Sequence, residues 1–230
     1  TAYVLFRGRF AAFARNGEVR AFTFVVALGS VLVFFLVAPE LYGHLGKCAR
    51  VAVFETVSAL TTTGFGTVPY VPWNSAGYLI LMLLMLIGGG TGSTAGGLKQ
   101  LRLYILYKAF VWEVRRALLP RAAVIEYPVW LGEQKFFVSD ALVRQTGVFL
   151  FLYLGIYAAG SMVLASYGYG LKESLFEFAS VIANAGLSIG LTSPLCPGPV
   201  IWTETVGMAL GRLEFFVIFT AIGKIAKDLL

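Results

Sequence analysis

A chain of 230 residues with 58% hydrophobic and only 13% charged side chains is not an ordinary soluble domain, which carries about 25% charge, and low charge also excludes disorder. Nineteen Phe, eleven Tyr and four Trp, with a mean hydropathy of +0.81, leave a polytopic helical membrane protein. The net charge of +6 then marks cytoplasmic loops rather than a nucleic-acid groove. Cys48 and Cys196 stand outside any CxxC or His cluster, which excludes a zinc or iron–sulfur framework.

Residues 1–20 are basic and aromatic and read as the cytoplasmic end of a preceding helix, so an earlier part of the protein is expected upstream of Thr1. About 20 apolar residues cross the ~30 Å hydrocarbon layer. Residues 21–39 form the first such span. Residues 56–98 carry no charge, too many for one span, and glycines interrupt them. A third span covers 145–171, and a fourth stretch, about 200–223, contains Arg212 and Glu214. Shorter apolar pieces at 51–62 and 173–183 lie between. Arg7, Arg9, Arg15 and Arg20, eight basic residues between Lys99 and Arg144, and Lys224 and Lys227 fall on one side of these spans. Only Lys47, Arg50 and Lys172 fall on the other, so both chain ends are expected in the cytoplasm.

The sequence repeats itself. FETVSALTTTGFG at 54–66 and FEFASVIANAGLS at 176–188 share Phe54/Phe176, Glu55/Glu177, Ser58/Ser180 and Gly64/Gly186, each pair 122 residues apart, and Pro72/Pro194 keep the same offset. Each copy lies between two spans, giving a helix, a short apolar helix, a glycine-containing turn and a second helix. A short helix cannot cross the bilayer, and its returning loop survives there only where protein or water satisfies its carbonyls. Rings of such carbonyls replace the hydration shell of an alkali cation, and glycine permits the dihedrals that aim them at one axis. The inward helix end adds partial negative charge. Two units make half a ring. For Thr61–Thr63 a helix C-cap with hydroxyls on the backbone is the alternative.

Residues 88–97, GGGTGSTAGG, contain six glycines, each costing about 1 kcal/mol in a helix, so a continuous helix is not expected there. The break either lines a cavity or allows close helix packing. It satisfies neither GxxxxGK[ST] nor GxGxxG and lacks a βαβ setting, so it is no phosphate loop. Arg212, deep in the last span, needs a polar interior; pairing with Glu214 is disfavoured because i,i+2 side chains diverge on a helix, although a snorkelling position remains open. Glu55 and Glu177 are expected to bond backbone behind the turns, with attraction of cations at the mouth as the alternative. Glu40 and Glu204 could add weakly to an outer negative field. The helix near 99–118 is basic and amphipathic, suited to lipid headgroups or a regulatory subunit. Cys48 and Cys196 share the outer side, so a disulfide is open. His44 carries no chemistry, and no catalytic set converges, so the chain is not read as an enzyme.

TTTGFGT at 61–67, GGGTGSTAGGLKQLR at 88–102, NAGLSIG at 184–190 and GRLEFF at 211–216 resemble the Trk/Ktr/HKT superfamily of potassium-translocating subunits along essentially the whole chain. The resemblance implies an all-α membrane protein carrying the third and fourth of four helix–pore-loop–helix repeats of a potassium-channel-like pore. These are residues 21–120 and 141–230, joined by a cytoplasmic connection at 121–140 and preceded by the tail of another repeat at 1–20. It implies that Thr62, Thr63, Gly64 and Phe65, with Asn184, Ala185, Gly186 and Leu187, supply filter carbonyls for K+, the transported ion, with no organic cofactor. One filter glycine per repeat, fewer than in tetrameric potassium channels, implies K+ selectivity with some Na+ leak. Gly90, Gly92, Ser93, Thr94 and Gly96 would form an intramembrane gate beside Arg212. A homodimer in the plasma membrane, membrane lipid, two further repeats and a cytosolic nucleotide-binding regulatory subunit are the implied partners, with no nucleic acid. A sodium-translocating or cation-coupled symporter of the same fold, or a non-conducting receptor, are the alternatives.

Overall fold

The computed structural model describes residues 16–119, 128–131, 134–193, 195–213, 220–221, 223–225 and 227–228. Glu214 and most of the tail expected at 1–20 lie outside these residues. Asn16 opens the first helix, α1 (Gly17–Leu36), by accepting the Glu18 N–H on its side chain at 2.9 Å. The span therefore starts four residues before the boundary expected from charge, because Glu18 and Arg20 occupy its first turn, where the missing intrahelical partners make polar residues favourable. A four-residue turn, α2 (Ala38–Leu41), follows, and then α3 (Leu45–Leu60).

Helix α4 (Ser75–Ile87), N-capped by Asn74, is 13 residues long, about 20 Å, and stops at Gly88, whose φ of +72° no helix accommodates. Residues 88–97 are non-helical, as their glycine content dictates. The chain resumes in α5 (Gln100–Leu118). Two antiparallel strands, β1 (Pro128–Leu131) and β2 (Gln134–Phe137), pair Val129 with Phe136. This hairpin lies within the connection expected at 121–140. Two short β-prone runs separated by two residues are a hairpin pattern, and Val129 packs with Ile105, Trp112 and Val138 in a small core of its own. Helices α6 (Asp140–Ser166), α7 (Leu171–Ala183) and α8 (Gly198–Leu213) complete the described fold.

Two triplets emerge. Short helix α3 packs against α1 and α4, short helix α7 packs against α6 and α8, and α4 joins the triplets by packing on α7. One apolar core runs through both. The outward faces are apolar as well: Phe24 and Phe35 on α1 and Phe151 and Met162 on α6 are 65–78% exposed. Such faces are left without cost where hydrocarbon or a further protein surface covers them. Among the described residues α1 and α6 are long and apolar enough to cross a membrane. Helices α4 and α8, expected as full spans, are shorter within the described residues, α4 because of its glycine break.

Candidate functional site

The two short helices end alike. Thr62 and Asn184, 122 residues apart, both leave the helix with left-handed backbone, at φ 50° and 51°. Gly64 and Gly186, again equivalent, follow at φ 79° and 88°. Thr63 N–H donates to Ser58 O at 3.0 Å, and Ala185 N–H donates to Ser180 O at 2.9 Å. The expected offset is therefore a duplication of backbone geometry as well as of letters.

The ends also meet. A Cβ on Gly64 would stand 2.0 Å from Ala185 O, so only glycine lets the two returning strands touch. Ala185 and Leu187 are buried, whereas the Phe65 side chain is 70% exposed. Phe65 O accepts the Ser58 hydroxyl at 2.6 Å, which occupies one of its two lone pairs and leaves one for another donor or cation. In the second copy the serine turns round: Ser180 Oγ accepts Gly186 N–H at 3.0 Å.

Behind each loop stands a buried glutamate. Glu55, fully buried, accepts Thr67 N–H at 2.8 Å and Thr67 Oγ1 at 2.7 Å on one oxygen, and the Tyr70 hydroxyl at 2.5 Å on the other. Glu177 accepts Ser188 Oγ at 2.6 Å, Thr192 Oγ1 at 3.0 Å and Ile189 N–H at 3.3 Å. These acids staple the outgoing strand to the short helix, and buried away from bulk water they face those donors rather than the mouth. The Thr192 hydroxyl shares its one proton between Glu177 and Glu204, whose Oε1 lies 2.8 Å away; Glu204 is 2% exposed, so it belongs to this buried network and not to an outer field. Glu40 accepts Asn74 Nδ2 at 2.9 Å. Tyr70 and Thr192 were not singled out in the sequence; they occupy equivalent places at the same offset of 122.

Beneath the two loops lies the glycine-rich segment. Gly96 N–H donates to Thr62 Oγ1 at 2.9 Å, and a Cβ on Gly96 would stand 1.9 Å from Ala183 O. On the opposite side a Cβ on Gly211 of α8 would stand 2.0 Å from Ile182 O. Two glycines thus flank the C-terminal carbonyls of α7, where its partial negative charge concentrates. Gly90 O accepts the Ser93 N–H and hydroxyl, closing a small turn, and Gly92 takes φ +80°. Arg212 Nη1 donates to Thr94 O at 2.5 Å. Asn184 Nδ2 ties the other loop to α8 through Met208 O at 3.1 Å. Two clefts adjoin the segment; the one of about 250 Å³ is lined by residues 92–97, Lys99, Arg102, Phe149, Gly211 and Arg212.

All the residues expected at the filter and the gate therefore lie in one connected region. The cysteines do not pair: both are free, Cys48 donating to Ala38 O and Tyr42 O, and Cys196 sitting among Tyr169, Ser193 and Leu191. His44 stands before α3 with no capping hydrogen bond from its side chain.

Duplicated helix–short helix–helix units with lipid-compatible faces define a multi-pass membrane protein. Residues 9–225 match the TrkH family of cation transport proteins, and the chain belongs to that family. It is similar to an uncharacterized cation transporter of Methanocaldococcus jannaschii, 31% identical over 163 residues, covering 71% of this chain and 34% of that protein. It is similar to the Trk system potassium uptake protein TrkG of Escherichia coli K12, 31% identical over 207 residues, covering 88% of this chain and 41% of the relative. The crystal structure of the potassium transporter TrkH from Vibrio parahaemolyticus superposes with a TM-score of 0.77 at 27% identity, over 90% of this chain and 44% of that one. The chain thus spans less than half the length of the relatives it matches.

Proposed function

We propose that this chain moves K+ across the plasma membrane as two of the four units around a pore, with both of its ends in the cytoplasm. Residues 21–120 and 141–230 are the units, and 121–140 connects them. Carbonyls of Thr62, Thr63, Gly64 and Phe65 and of Asn184, Ala185, Gly186 and Leu187 dehydrate the ion. The segment containing Gly90, Gly92, Ser93, Thr94 and Gly96, held by Arg212, closes the path beneath. The observation that carries this reading is the contact between duplicated loops: equivalent left-handed turns meet at Gly64 and Ala185, with the carbonyl-rich ends of α3 and α7 behind them. The potassium-uptake relatives support K+ as the ion. Homodimerisation, a nucleotide-binding regulatory subunit on the basic face of α5, and the remaining two repeats complete the proposal.

The test is rescue of growth at low K+ by the complete protein in a potassium-uptake-deficient strain, together with Rb+ and Na+ flux in liposomes. Rescue with Rb+ flux above Na+ flux is expected. Flux of Na+ alone would establish the sodium-translocating alternative, and membrane insertion without either flux would overturn the pore.

A further inference from the structure

Glu18 is the acid in the first turn of α1, and its place is fixed from two sides. Its N–H is held by Asn16, and Gly17 beside it lies buried under Tyr104 of α5, whose ring would be 2.6 Å from any added Cβ. From this anchored start Glu18 Oε1 accepts the backbone N–H of Thr91, in the glycine-rich segment 73 residues away. A Cβ on neighbouring Gly90 would stand 3.4 Å from the same oxygen. Three residues further on, Thr94 O accepts Arg212 from α8.

We propose that Glu18 is a positioning residue for this segment, an anionic tie on the Thr91 N–H that complements the cationic tie of Arg212 on Thr94 O. The inference rests on the reading of residues 88–97 as the gate. The segment has little side-chain packing to locate it, and a Cβ on Gly92 would meet nothing within 4 Å. Hydrogen bonds to charged groups are then the strongest forces on its tip. One tie comes from α1 and the other from α8, so the tip bridges the first helix of one triplet and the last helix of the other. Both charges hold main-chain atoms, so neither tie depends on the side chain of Thr91 or Thr94. Opening the segment must break both ties.

A first-turn acid also favours its own helix through the dipole, and the two roles separate experimentally. In the complete protein in liposomes, Glu18→Ala is expected to raise basal Rb+ flux about five- to ten-fold, and Arg212→Ala is expected to do the same. Glu18→Gln keeps an acceptor oxygen and stays within about three-fold of wild type. Glu18→Ala with Asn16→Asp restores negative charge at the helix start but offers nothing to Thr91, so it still leaks; restoration of wild-type flux would show that the dipole alone matters. Should Glu18→Ala destabilise the protein, Glu18→Cys with Gly90→Cys, on a background lacking Cys48 and Cys196, provides a second measurement. Cd2+ bridging there is expected to suppress flux, and insensitivity to Cd2+ overturns the inference. Unchanged flux in Glu18→Ala beside a leaking Arg212→Ala also overturns it, whereas a wild-type protein that passes no Rb+ overturns the pore reading beneath it.

Discussion

The two copies of the repeated unit share a backbone and differ in how it is held. Asn184 is the residue type that tolerates a left-handed turn, and its amide is spent on the continuous helix α8. Thr62, β-branched and strained in the same turn, is tied to the segment where glycines replace a helix. One copy is a relaxed turn on a rigid neighbour, and the other is a strained turn on a soft one. The difference places mechanical freedom in the first copy, next to the segment read as a gate.

The largest expected asymmetry is between the two loop glycines. Gly64→Ala must drive a methyl into Ala185 O as well as hold φ 79°, and is expected to abolish Rb+ flux. Gly186→Ala meets only Gly64 Cα at 3.7 Å, so its cost is the conformational ~1 kcal/mol, a loss of under ten-fold. Equal losses would break the view that the loops touch through Gly64.

Next in size are the staples behind the loops. Tyr70→Phe strips Glu55 Oε2 of its donor in a fully buried position, and is expected to destabilise by about 1–3 kcal/mol, measured as a fall in melting temperature. Thr192→Val leaves Glu177 bonded to Ser188 and Ile189, so a smaller fall, about 1 kcal/mol, is expected. A reversed order would mean that Glu204, which also loses Thr192, matters more than Glu55. Smaller again, Thr62→Asn brings the first turn to the composition of the second and is expected to raise stability by about 1 kcal/mol through relief of the left-handed strain. The same substitution leaves an oxygen for Gly96 N–H, so flux should persist.

Much of this duplication was legible in the sequence because it is written in residues whose physics is local. Glu55 and Glu177, Gly64 and Gly186, and the six glycines of 88–97 announce buried staples, tight turns and a helix break wherever they occur. Arg212 could be placed by the cost of a charge in hydrocarbon. What stayed hidden depends on contacts at long range. Nothing in a first-turn glutamate tells that it reaches Thr91, and nothing in Tyr70 or Thr192 reveals that they face an acid. The hairpin at 128–137 is written as two short β-prone runs, too brief to stand out in an apolar helical chain. Helix starts lie a few residues ahead of the apolar stretches because polar first turns such as Glu18–Arg20 look like loop.

The outer loops carry the weakest contrast, between the two thiols. Cys48 is 1% exposed and gives its S–H to two carbonyls. Cys196 lies in the loop before α8, where the Tyr169 hydroxyl and the Ser193 N–H point at its sulfur and hold its thiol below the ordinary range. A lowered value means more thiolate near neutrality, and the thiolate is the nucleophile, so Cys196 should label with a membrane-impermeant maleimide at a lower pH than an ordinary cysteine. Its rate should level off as pH rises through that lowered value, while Cys48 stays unlabelled throughout. Tyr169→Phe removes the leading cause of the shift and should move the labelling curve to higher pH without altering Rb+ flux. Reductant should change neither flux nor melting temperature, because both thiols are free. Labelling of Cys196 from outside intact cells would also test the orientation in which both ends of the chain face the cytoplasm, since the short helices then enter from the opposite side; labelling only in inverted vesicles would reverse it.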